Sequence, residues 1–270
     1  MWGTSDFFGG LASKQQSVAR VLLWAHGIGL VGVAAVAPFL ADQFLWSDIG
    51  WGALAGMIGM VGMLLLYWSL AAGPMAIVAP LSALTAALLP VIWKLPGGDP
   101  LSALTIAGLI VGLAAVVAIS WEGSPGDGPS LSPAVVAAAI VAGACFGSIV
   151  LFYDATSQDG APWPVVGGRV VSTATLLAFA LVRRQPVSPG PTLKFSAIAG
   201  LGDTAANVTL LAATGLAVSS SELSVVAVIA SFYPAATVLW ARFSLNEQLG
   251  PIRLAGLGLG LAAIAFMTLG

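Results

Sequence analysis

The sequence predicts an all-α membrane protein of ten transmembrane helices, arranged as two inverted five-helix repeats. Three observations carry that reading. Of 270 residues, 59% are hydrophobic and only 7% are charged, against roughly 25% charge in an ordinary soluble domain. The mean hydropathy is +1.00. Apolar runs separated by short polar breaks fill the chain from end to end. So few charges cannot clothe a water-soluble surface, and lipid is the expected solvent.

Crossing ~30 Å of hydrocarbon takes about 20 helical residues at ~1.5 Å each. Windows of that kind fall at 1–13, 18–40, 49–71, 74–94, 100–121, 133–155, 162–183, 193–217, 221–243 and 250–269. The runs are continuously apolar and lack the period-two alternation of an outer-membrane strand, so helices are expected rather than a barrel. The first is short, because Lys14 arrives after thirteen residues. With no basic leader before it and no small-residue cleavage site after it, it reads as an incomplete transmembrane helix rather than a signal peptide.

The longest Gly/Pro/Ser-rich break runs from Glu122 to Pro133. It divides the chain into a first repeat, 1–121, a linker, 122–132, and a second repeat, 133–270. Sliding residues 73–118 forward by 148 lays Ala107-Gly-Leu-Ile-Val-Gly-Leu-Ala-Ala115 over Ala255-Gly-Leu-Gly-Leu-Gly-Leu-Ala-Ala263, Lys94 over Arg242 and Asp99 over Glu247. A shift of 144 lays Trp51–Gly56 over Phe195–Gly200. Five helices per repeat is an odd number, so the second copy must enter the bilayer from the opposite side. Inverted repeats are a plan of secondary transporters, since exchanging the conformations of two similar halves exposes one midplane site to alternate sides. Lys14, Arg20, Arg183, Arg184, Lys194, Arg242 and Arg253 fall beside connections 1–2, 7–8 and 9–10, with Lys94 alone opposite. The positive-inside rule then places both termini outside the cytoplasm.

Composition excludes several classes. The single cysteine, Cys145, permits no intramolecular disulfide. The lone His26 has no second His or Cys with which to share a metal and is expected to be structural or hydrogen-bonded locally. A net charge of −2 gives no footprint for nucleic acid. No Gly-x-x-x-x-Gly-Lys-Ser/Thr phosphate loop is present, so the chain does not burn ATP itself. No metal and no cofactor are expected.

Ionisable groups at membrane depth cost at least ~2.5 kcal/mol each at a helix centre unless water or a partner reaches them. That cost singles out Asp203, in Gly200-Leu-Gly-Asp-Thr-Ala-Ala-Asn207, with Asn207 four residues on along the same helical face. A lone buried carboxylate can couple transport to protons, or can tie two helices together in a static ion pair. Arg169 is the candidate counter-charge, unless it snorkels to the interface. Asp6, Tyr67, Trp68, Ser231 and Tyr233 are further candidates for the substrate pathway. Pro74, Pro80 and Pro90 in the fourth span and Pro234 in the ninth remove backbone donors, which either bends those helices toward a cavity or merely kinks them. Trp46, Trp51, Trp121 and Trp163 are expected interfacial anchors, and Glu222 is expected to serve the positive start of the ninth helix. Gly52/Gly56, Gly108/Gly112 and Gly256/Gly260 let helix backbones approach closely, within the chain or across a dimer contact.

Taken together, Trp2-Gly-Thr-Ser-Asp-Phe-Phe-Gly-Gly-Leu-Ala-Ser-Lys14, Gly73-Pro-Met-Ala-Ile-Val-Ala-Pro-Leu-Ser-Ala83, Leu223-Ser-Val-Val-Ala-Val-Ile-Ala-Ser-Phe-Tyr-Pro-Ala235, Asn246-Glu247 and Ala255-Gly256 resemble the EamA-type family of the drug/metabolite transporter superfamily. The likeness covers essentially the whole chain. It departs in the first repeat, where Thr85-Ala86 stands for the usual Tyr-Pro and Gly98-Asp99 for Gly-Glu. The resemblance implies a central cavity walled by helices 1, 3, 4, 6, 8 and 9, and movement of small organic solutes, often outward. It implies no shared catalytic motif.

The expected activity is secondary-active, proton-coupled export of a small metabolite, amino-acid-like or drug-like, across a bacterial inner membrane. The partners are the lipid bilayer and a small-molecule substrate; whether the chain works as a monomer or a homodimer is left open. Two other classes stand beside it: a membrane-embedded enzyme, which would need Asp6 and Asp203 within hydrogen-bond reach, and a non-transporting accessory subunit with a solid interior.

Overall fold

The computed structural model describes residues 1–94, 102–120, 131–157, 159–216, 233–246 and 250–269. Ten helices and no strand are found among them: α1 (Trp2–Ser13), α2 (Val18–Leu40), α3 (Trp46–Ala72), α4 (Met75–Lys94), α5 (Ala103–Ser120), α6 (Pro133–Asp154), α7 (Trp163–Val182), α8 (Leu193–Leu216), α9 (Tyr233–Leu245) and α10 (Pro251–Leu269). Boundaries fall within a few residues of those expected. The exception is the ninth span, whose amino-terminal part, with Glu222 and Ser231, lies outside the described residues, as do Asp99, Trp121, Glu247 and most of the linker. Within the described residues α2, α3 and α7 are long and apolar enough to cross a membrane, and α4, α5, α6 and α10 contain shorter apolar stretches.

Local chemistry sets the helix starts. Ser132 caps α6 by accepting the Val135 amide at 3.3 Å, with Pro133 at the first helical position. Ser102 caps α5 through the Thr105 amide at 3.0 Å. Gly73 and Pro74 break α3 from α4, and the Pro74 carbonyl accepts from Ile77 and Val78, so this proline begins a helix rather than kinking one. Pro38, in contrast, sits inside α2.

Bilayer solvent explains the sidedness of burial. Phe7, Leu22, Leu66, Tyr67, Leu70, Met75 and Ile77 are wholly buried where α1, α2, α3 and α4 meet. Large apolar side chains also face outward, including Phe39 at 86% exposure and Phe243 at 77%. A water-soluble monomer avoids such a surface; a lipid-facing one requires it.

Helix crossings occur at small residues. A Cβ added to Gly56 would run into the backbone of Gly168, and one on Gly52 into Pro164, so α3 and α7 touch backbone to backbone. Gly200 stands in the same relation to Ala25, bringing α8 against α2. Gly108 meets Ala263 and Met267, so the glycines of α5 bring it against α10 within the chain. Consecutive helices are not always neighbours: α7 and α8 barely touch, because α2 packs against both.

The two ends are tied by loop pairs of different composition. At one end Arg20 donates to the Pro186 carbonyl at 3.1 Å and to Ser188 Oγ at 3.3 Å, and Trp24 donates to the Val187 carbonyl at 3.2 Å, so the α1–α2 turn docks on the α7–α8 loop. At the other end the amides of Asp42 and Gln43 both donate to the Asp159 carbonyl, Asp48 accepts the Ser157 amide at 3.1 Å, and Phe44 meets Trp163 edge to face. Basic residues gather at the first end and acidic ones at the second, the segregation on which the expected sidedness rests.

Gly56→Val should lower the thermal stability of the detergent-solubilised protein by about 1–3 kcal/mol, the usual cost of overpacking. Gly258→Ala, where nothing lies within 4 Å of an added Cβ, should leave it unchanged; equal effects from both would discredit the crossing.

Candidate functional site

Two glycines deliver the charged pair. Gly168 lets α7 press against α3 and places Arg169 one residue further on, facing inward at 8% exposure. Gly202 lets α8 press against Ser5 of α1 and places Asp203 next in line. The Arg169 guanidinium reaches Asp203 Oδ2 in a salt bridge shielded from the surroundings. Asn207, one turn along α8, donates Nδ2 to the Asp203 carbonyl at 2.8 Å and to Asp203 Oδ1 at 3.3 Å. Both carboxylate oxygens are therefore occupied. The counter-charge expected from sequence is in place, and it spans two helices that otherwise hardly meet.

His26, expected to be structural or locally hydrogen-bonded, is held within this network. Its Nδ1 lies 2.9 Å from Ser172 Oγ, and the Ser172 hydroxyl donates to the Arg169 carbonyl at 3.3 Å. That direction leaves the Ser172 oxygen to accept from His26 Nδ1–H. His26 is 2% exposed and its Nε2 has no partner.

The other candidates divide by position. Asp6 is buried on α1 at 5% exposure and lies close enough to feel the charge of Asp203, though no hydrogen bond joins them. Tyr67 is wholly buried, its ring and hydroxyl packed over Gly9 of α1 and the hydroxyl without a partner. Tyr233 opens α9, half-buried, with its ring edge-on to Trp2 at 5.9 Å. Nearby, Thr237 donates to the Gly3 carbonyl at 2.8 Å and fastens α9 to α1. Trp68 points away from this group; at 43% exposure it lines a surface cavity of about 430 Å³ with Lys14, Gln16 and Ser17 beside the α1–α2 turn. A second cavity, about 260 Å³ and apolar, lies between α4, α9 and α10 around Pro80 and Pro234. Neither reaches the Arg169–Asp203 pair. Among the described residues no group of three His, Cys, Asp or Glu side chains converges as a metal site would require.

A family model described as the EamA-like transporter family matches residues 133–269. The chain belongs to the EamA-like transporter family. This EamA protein is accordingly a membrane transporter of the drug/metabolite transporter superfamily, and the matched region holds Arg169, Asp203 and Asn207. One solved crystal structure, of a protein given no further description, is similar over 99% of this chain and 94% of its own, with 18% identity and a TM-score of 0.55. At that identity the likeness concerns the fold. No curated protein matches the EamA chain.

Arg169→Gln would leave the Asp203 carboxylate buried without its counter-ion and should destabilise the protein by about 3–5 kcal/mol. The double variant Arg169→Gln/Asp203→Asn should recover most of that loss. Additive losses in thermal unfolding would show that the two side chains do not act as a pair.

Proposed function

We propose that this protein is a proton-coupled secondary exporter of small organic metabolites, amino-acid-like or drug-like, in the bacterial inner membrane. Its halves, 1–121 and 133–270 joined by 122–132, are taken as inverted repeats rocking about the interior pair. The observation that carries the reading is the buried Arg169–Asp203 bridge between two helices that are otherwise separated by α2. A static tie would be economical within a packed interface. Spanning a separation, the bridge instead closes a space that must open for a solute to pass. Asp203 has two exclusive partners for its charge, Arg169 and a proton, and protonation releases the guanidinium. Asp6, Asn207, Tyr67 and Tyr233 stand around that exchange, and Ser231 is assigned to the same pathway from sequence. No catalytic role is assigned, because both oxygens of Asp203 are engaged by Arg169 and Asn207 rather than by Asp6.

Support for the inverted repeat comes from reciprocal contacts, the signature of a twofold relation. A Cβ at Gly112 would lie 3.5 Å from that of Ala263, and one at Gly260 would lie 3.9 Å from that of Ala115, and these residues are matched by the shift of 148. Gly56 meets Gly168 as Gly200 meets Ala25, so α3 packs on α7 as α8 packs on α2. The tied loops follow the same rule. Exchanging each helix with the one five places on converts the α1–α2/α7–α8 pair at one end into the α6–α7/α2–α3 pair at the other.

The test uses reconstituted vesicles and the charge-free double variant, which leaves no orphan ion in the interior. Arg169→Gln/Asp203→Asn should keep solute counterflow and lose uphill transport driven by a pH gradient. Gradient-driven transport at the native rate would remove Asp203 from the coupling step, and absence of counterflow for any solute with the native protein would remove the carrier reading.

A further inference from the structure

The interior holds a second carboxylate that the Arg169–Asp203 bridge does not neutralise. Asp6 lies on α1 between two close contacts, Ser5 against Gly202 of α8 and Gly9 against the ring of Tyr67 of α3. It is 5% exposed. Among the described residues the one ion pair is Arg169–Asp203, and no described residue donates a hydrogen bond to the Asp6 carboxylate. The Tyr67 hydroxyl, at the neighbouring turn of α1, is fully buried and likewise unpartnered. The Asp6 carboxylate and the Tyr67 hydroxyl, two groups with no donor among the described residues, thus lie at neighbouring turns of α1.

The surrounding charges define what is missing. Asp203 of α8, Tyr67 of α3 and Tyr233 of α9 lie within electrostatic reach of Asp6, as does the exposed ammonium of Met1, which forms no ion pair with it. Arg169 is spent on Asp203, and His26 is directed to Ser172. With both carboxylates ionised, the cluster of Asp6, Asp203 and Arg169 carries one negative charge in excess. A buried, uncompensated carboxylate is costly. An ammonium group answers these vacancies at once: it supplies the positive charge, its N–H groups donate to the carboxylate and to the phenolic oxygen, and the rings of Tyr67, Tyr233 and Trp2 on the helices packed here attract cations. An anionic solute would place a third negative charge beside two others, and a neutral one would leave Asp6 to be neutralised by a proton instead.

We propose that Asp6 and Tyr67 form the subsite for the ammonium group of the transported solute, so that the substrate class is small organic amines. This rests on the transport reading above.

Binding to the purified protein in lipid nanodiscs tests it, using two matched probe series: butylamine, butanol and butyrate, and phenethylamine, 2-phenylethanol and 3-phenylpropionate. In at least one series the amine should bind about tenfold or more tightly than the alcohol, as expected for a charge-assisted hydrogen bond, and the carboxylate should not bind. Asp6→Asn should abolish the preference for amine over alcohol, and Asp6→Glu should retain part of it. Tyr67→Phe should weaken amine binding severalfold and leave alcohol binding unchanged. If Asp6→Asn does not yield folded protein, the charge series on the native chain and Tyr67→Phe decide the matter. Equal affinity for amine and alcohol in both series overturns the subsite, as does an undiminished amine preference in folded Asp6→Asn. Counterflow of labelled amine in proteoliposomes separates the two readings. Selective binding without counterflow keeps the cation site and removes transport, whereas counterflow of some other solute with no amine preference removes the subsite alone.

Discussion

The polar interior is organised by one guanidinium. Arg169 reaches Asp203 with its side chain and receives the Ser172 hydroxyl at its carbonyl, and Ser172 in turn holds His26. Asn207 completes the shell of Asp203. Removing a positive charge from water in an apolar bundle is tolerable only when its hydrogen-bonding groups find partners. The elements that supply them, α2, α7 and α8, must therefore hold fixed relative positions while the pair is made. Any motion that separates α7 from α8 has to break the pair first.

Lipid provides no hydrophobic drive between apolar helices, so association depends on contact area and close approach. Glycines at Gly52, Gly56, Gly168 and Gly200 bring backbones together, and the charged residues sit immediately after such crossings. The arrangement lets Arg169 and Asp203 project from rigid points rather than from loops. These contacts are made by small residues, whereas the cluster around Tyr67 and Leu70 is built of large, wholly buried side chains.

The crossings of α2 and α7 carry His26 and Arg169 respectively, and the carboxylate that pairs with Arg169 comes from α8. The charge at the centre of the bundle is therefore unevenly distributed among the helices. The two ends are also fastened differently, by Arg20 at one and by Asp48 at the other.

Much of this was legible in the sequence. Helix number, the small-residue seams, the pairing of Asp203 with Asn207 and the choice of Arg169 as counter-charge all follow from local rules: hydropathy over about 20 residues, the four-residue helical period, and the scarcity of ions at depth. Direction was not legible. Tyr67 and Trp68 are adjacent aromatics near the same helix end, and only the packing of α3 against α1 turns the first into the core and the second outward. The partner of His26 was not legible because it lies 146 residues away, and the surroundings of Asp6 were not because its neighbours come from α3 and α8. What the chain determined unaided was its solvent, its helices and its rare buried ions, since these depend on composition and short-range periodicity. Which ions meet, and which is left without a partner, was decided by tertiary packing, because α2 stands between α7 and α8 and no local rule specifies that wedge.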